Sequence, residues 1–130
     1  MKGQSSIEFL IYVSILFLIF AFILWNDNSL QNQLNWVKTN NEAKKLCDGI
    51  AFEINSAVRT GNGYKRKFYV EKDFFGVSDF DISVGNYTVY IDWSKNSVSS
   101  SIVTENITGI VDKGSNFIEN RDGEIYVTQS

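Results

Sequence analysis

Residues 3–25, GQSSIEFLIYVSILFLIFAFILW, form a long apolar run in a chain of 130 residues, and one carboxylate, Glu8, stands at its threshold. Between Phe9 and Trp25 the only conventionally polar residues are Tyr12 and Ser14. As a helix, residues 7–25 reach roughly 28 Å at ~1.5 Å per residue, close to the hydrocarbon thickness of a bilayer. A helix that is apolar on every side has no place in a small soluble domain, whereas a membrane or the core of a helical assembly can take it. Lys2 precedes the run and Asp27 follows it, so the positive-inside tendency puts the first residues in the cytoplasm and those after Trp25 outside the cell. The run exceeds the usual core of a cleaved secretory peptide and no Ala-x-Ala-like site follows it, so the helix is expected to stay on the protein.

The simplest role for Glu8 is local. Ser5-x-x-Glu8 fits the capping box, in which two side chains satisfy free amides at a helix start, and a carboxylate there also favours the positive end of the helix dipole.

Gly3-Gln4-Ser5-Ser6-Ile7-Glu8, set directly before the apolar run, resembles the class III signal sequence of archaeal type IV pilins and pilin-like proteins. The family pattern QxSxExxxL falls on Gln4, Ser6 and Glu8, with Tyr12 where the pattern has its leucine. The resemblance implies a leader of residues 1–3, removed between Gly3 and Gln4 by a prepilin peptidase on the cytoplasmic side. It implies that the new ammonium of Gln4 pairs with Glu8 of a neighbouring copy, and that Gln4, Ser6 and Glu8 act in assembly. It also implies the partners: copies of the chain or related pilins, an assembly ATPase and platform protein, and the membrane. The end point is an extracellular filament at the cell surface.

Beyond Trp25 the composition turns to NDNSLQNQLNWVKTNNEAKK, rich in Asn and Gln and free of Pro and Gly. Leu30, Leu34 and Val37, and then Ala43, Cys47, Ile50, Ile54 and Ala57, fall at spacings of three and four, one face of an amphipathic helix. The Asn density predicts a softening at residues 26–29, and Gly61-Asn62-Gly63 ends the helix. YKRKFYVEK, DFDISV, YTVYIDW, SVSSSIVT, NFIE and EIYVTQ then read as short strands, with turns at residues 84–87, 92–96 and 120–123. One sheet face is expected to carry Phe80, Ile82, Val84, Val89, Ile91 and Trp93 and to cover the apolar stripe of the helix. The fold class is thus α+β. A hydrophobic helix at 4–25 continues amphipathically over 26–60, and a small antiparallel β head follows at 61–130, an arrangement that type IV pilins share.

Composition removes most chemistry. The chain has no His, one Cys and a net charge of −3, which leaves no imidazole base or ligand and no cysteine pair for a disulfide. No catalytic residue, metal site or cofactor is assigned, an enzyme is not expected, and the scattered cations make nucleic acid an improbable partner. Cys47 reads as a buried small residue or an intermolecular contact. Asp79-Phe80-Asp81 alternates like a strand with a wet face; an EF-hand loop would need Gly and Glu where Val84 and Tyr90 stand. Lys65-Arg66-Lys67 reads as a solvated edge strand. Asn86-Tyr87-Thr88 and Asn106-Ile107-Thr108 are N-glycosylation sequons, Asn86 being the better placed at a hairpin tip. The rival to a filament subunit is a single-pass surface module that displays the β head for binding or adhesion without polymerising.

Overall fold

The computed structural model describes residues 2–130, with the side chains of Lys2 and of 27–29 left aside. Its order is one helix and seven strands: α1 Lys2–Thr60, β1 Lys65–Val70, β2 Asp81–Gly85, β3 Thr88–Trp93, β4 Asn96–Ser101, β5 Ile107–Gly109, β6 Gly114–Arg121 and β7 Glu124–Gln129. The α+β class and its order are those the sequence predicts. The chain divides into two compact units, one ending at Val37 and the other Lys38–Ser130. α1 runs helically through residues 26–29, where a softening is expected from the Asn density. It stops at Thr60 because Gly61 and Gly63 take φ of +92° and +91°, a region that side-chain-bearing residues rarely enter.

In the second unit α1 buries Ala43, Cys47, Ile50, Ala51, Ile54 and Ala57 against both sheets. This is the upper half of the stripe read from the sequence. The small residues let strands approach closely; the Cys47 thiol donates to the Val89 carbonyl at 3.2 Å, and burial pushes its pKa up. The strands form two sheets rather than the single sheet expected, with orders β1-β6-β7-β5 and β2-β3-β4. Ile82 stands opposite Ile91 and Val84 opposite Val89, so the expected face is the one turned inward, and Phe74 packs edge-on to Trp93 at 5.0 Å. The pairing is antiparallel except between β5 and β7. β5, too short to read from the sequence, lies so close to β7 that a Cβ on Gly109 would meet the Val127 carbonyl oxygen at 2.0 Å.

The turns fall where expected. Asn86-Tyr87 and Asp122-Gly123 have both central residues at positive φ, the form whose twist matches a hairpin. Two buried asparagines on β6 add side-chain bonds to the backbone. Asn116 donates to the Asp112 and Gly114 carbonyls at 2.7 and 3.0 Å. Asn120 donates to the Ala57 carbonyl at 2.9 Å and accepts from the Gly123 N–H at 3.0 Å, tying the end of α1 to the β6–β7 turn.

The outer side of β4 is closed by α1. Lys44 donates to the Ser99 carbonyl, while Asn55 accepts from the Val103 N–H at 2.9 Å and donates to the Ser101 carbonyl at 3.5 Å. Ser100 donates to the Asp48 carboxylate, and this bond, with Lys44 at 3.2 Å, holds Asp48 below the usual carboxylate range.

Two outcomes follow for the full chain in detergent. Asn120→Ala removes the shorter of two bonds to the buried Ala57 carbonyl, which keeps the Gly61 N–H at 3.3 Å, and strips the exposed Gly123 N–H of its acceptor; it should cost about 1–1.5 kcal/mol, read as a lowered melting temperature. Tyr87, held at φ 60° and half exposed, is a tyrosine where glycine would be unstrained. Tyr87→Gly should therefore raise stability by roughly 0.5–1 kcal/mol in the same melt.

Candidate assembly interface

Every described side chain from Gly3 to Asn26 is exposed, and the large apolar ones between Ile7 and Trp25 are 43–83 % open to the surroundings. The helix is long and apolar enough to cross a membrane, and none of that window is buried within the chain. The serine of the apolar run is satisfied locally. Ser14 donates back to the Leu10 carbonyl at 2.8 Å, so its hydroxyl is satisfied without any partner outside the helix.

Gly3, Gln4, Ser6 and Glu8 all lie in the opening turns of α1. Gln4 and Glu8, four residues apart, share one face; at ~100° per residue Ser6 falls on the other side. Among the described residues no ion pair reaches Glu8. The capping-box reading is corrected here. α1 begins at Lys2, so Ser5 already lies inside the helix and cannot serve as its cap, and the first turn carries no acidic residue. Glu8 is left as a carboxylate on the helix surface where the apolar run starts.

The apolar stripe continues past the membrane-length segment. Leu30, Leu34, Trp36 and Val37 are about half exposed, whereas Ala43 onward is covered by strands. The sequence periodicity gives one continuous face, but cover from the same chain starts only in the unit that opens at Lys38.

The remaining sites lie on the strands. Asn86 is exposed in the β2–β3 turn, with the Thr88 hydroxyl donating to its carbonyl at 3.2 Å. Asn106 is exposed too, but its backbone is engaged on both sides, by the Thr104 hydroxyl at 3.1 Å and the Ile125 N–H at 2.9 Å. Lys65-Arg66-Lys67 sits on the outermost strand of its sheet, as read from the sequence. Lys65 reaches Glu119 at 3.4 Å and Arg66 reaches Glu53 at 3.6 Å. What the sequence did not disclose is a groove of about 730 Å³ beside β1, lined by α1 residues Glu42, Ile50 and Glu53 with Phe68, Val70 and Phe75. No local pattern encodes it, because it depends on how α1 and the strand that follows it pack against each other.

No protein-family model, curated protein or solved structure matches this chain.

Proposed function

We propose that the chain is a structural subunit of an archaeal type IV pilus-like surface filament. It is made as a membrane-anchored precursor, cut between Gly3 and Gln4, and assembled by bundling of its apolar helix. One observation carries the reading: an apolar helix surface uncovered on every side, opened by the junction Gly3-Gln4-Ser5-Ser6-Ile7-Glu8. Lipid covers such a surface in the precursor and other copies of the helix cover it in the filament. A carboxylate among apolar side chains costs several kcal/mol unless a cation meets it, so the Gln4 ammonium created by cleavage fixes the axial stagger between neighbours through Glu8. A prepilin peptidase, an assembly ATPase and a platform protein act on the membrane side, and the folded unit Lys38–Ser130 is displayed outside.

Mass analysis of material sheared from cells should find the mature chain beginning at Gln4. Glu8→Ala should leave precursor level and membrane insertion unchanged and abolish the sheared fraction. A chain that always starts at Met1 and is never sheared off would instead leave the single-pass display module. Sugar on the displayed unit should appear as a mass increment at Asn86 that is absent from Asn86→Gln.

A further inference from the structure

Two strand edges of the Lys38–Ser130 unit stay open, and their chemistries complement each other. Among the four outer strands, β4 is closed by Lys44 and Asn55 and β5 spans only Ile107–Gly109, which leaves β1 and β2. The ladders decide which backbone groups face outward. The Asn120 N–H bonds the Tyr64 carbonyl, so Arg66, Phe68 and Val70 turn toward β6 and Lys65, Lys67 and Tyr69 turn away. The Ile102 N–H bonds the Tyr87 carbonyl, so Thr88, Tyr90 and Asp92 of β3 turn toward β2. Their partners Asp81, Ser83 and Gly85 are then engaged, and Ile82 and Val84 turn outward.

This parity selects how two such edges can join. An antiparallel ladder sets outward-turned residues directly opposite each other with side chains on one face, which would put exposed Lys67 beside inward-facing Ile82 or Val84. In a parallel ladder a residue bonds the two neighbours of the one opposite, so Lys67 stands opposite Asp81 or Ser83, both exposed. Charge chooses between them. With Lys67 at Asp81, Lys65 meets Asp79 and Tyr69 meets Ser83 on the wet face, while Phe68 meets Ile82 and Val70 meets Val84 on the apolar one.

Both sides carry charge without an ion-pair partner among the described residues. Lys65 and Arg66 have carboxylate partners; among the described residues Lys67 has none. Asp81 and Asp92 stand directly opposite each other across β2 and β3, exposed, without an ion pair among the described residues. Like charges so placed repel, and a lysine from outside relieves them. The groove of about 730 Å³ leaves room beside the β1 edge for an incoming strand.

We propose that β1 of one copy adds, parallel and with Lys67 opposite Asp81, to the β2 edge of a second copy, so that the displayed units join edge to edge. The inference deepens the assembly reading and rests on it for bringing copies together. The test reconstitutes a one-to-one mixture of ¹⁴N- and ¹⁵N-labelled full chain at high density in vesicles and treats it with a zero-length carbodiimide, which joins an amine to a carboxylate already in contact. Mixed-isotope peptides linking Lys67 to Asp81 are expected. Lys67→Glu or Asp81→Lys alone should remove that link, and the two together should restore it with the amine and carboxylate exchanged. Absence of the mixed-isotope link in the unaltered chain, or its failure to return between positions 67 and 81 when the two reversals are combined, overturns the inference. In cells, sheared filaments that form without the link refute the edge pairing alone. A chain uncut at Gly3 and never sheared refutes the filament reading, and the vesicle experiment still decides the pairing.

Discussion

Among the described residues, the large apolar side chains of the first part of α1 are exposed. Burying one large aliphatic or aromatic side chain contributes about 1.5–3 kcal/mol, and the helix offers Phe9, Leu10, Phe17, Leu18, Phe20 and Phe22 among many others, all more than half exposed. Such a surface is unfavourable in water, and the helix is long and apolar enough to be taken up by a membrane. The other features of the segment agree with that. No charge interrupts residues 9–25, the Ser14 hydroxyl is returned to the Leu10 carbonyl, and the only carboxylate sits where the apolar run begins.

The second part of the same helix solves the opposite problem. Beyond Lys38 its stripe is built from Ala43, Cys47, Ala51 and Ala57 around Ile50 and Ile54, small enough for two sheets to pack on it at once. The helix closes the β4 edge with Lys44 and Asn55, and Asn120 returns the favour by accepting the task of pairing the Ala57 carbonyl near the helix end. One helix thus serves as a self-covered scaffold in one unit and as an uncovered surface in the other.

Much of this was legible in the sequence because it is locally encoded. Alternation in residues 81–93 fixes which side of β2 and β3 turns inward, Gly61-Asn62-Gly63 ends α1, and Asn86-Tyr87 and Asp122-Gly123 make tight turns. What escaped depends on distant pairings. The division into two sheets, the parallel β5–β7 pair and the roles of Asn116 and Asn120 follow from which strands meet, and an asparagine in a strand pattern reads as a turn signal until its partners are known. The opening turns show the reverse case. Ser5-x-x-Glu8 has the form of a cap, yet α1 starts at Lys2 and absorbs it, because a sequence pattern specifies the bonds a cap would make and not where the helix begins.

The two open edges also bear on the geometry of association. A β1–β1 contact would bring Lys65, Arg66 and Lys67 of two copies together, and a β2–β2 contact would do the same with Asp79 and Asp81, so both self-complementary pairings are opposed by charge. A β1–β2 contact uses unlike surfaces, and every copy that joins presents a fresh edge of each kind. Contacts of that sort do not close on themselves as a two-fold dimer; they form rings or propagate. The apolar helix imposes no such direction by itself, since a surface apolar on all sides packs in many ways. In the proposed pairing, strand edges of opposite charge and matched parity add a second directional contact to the one between Gln4 and Glu8.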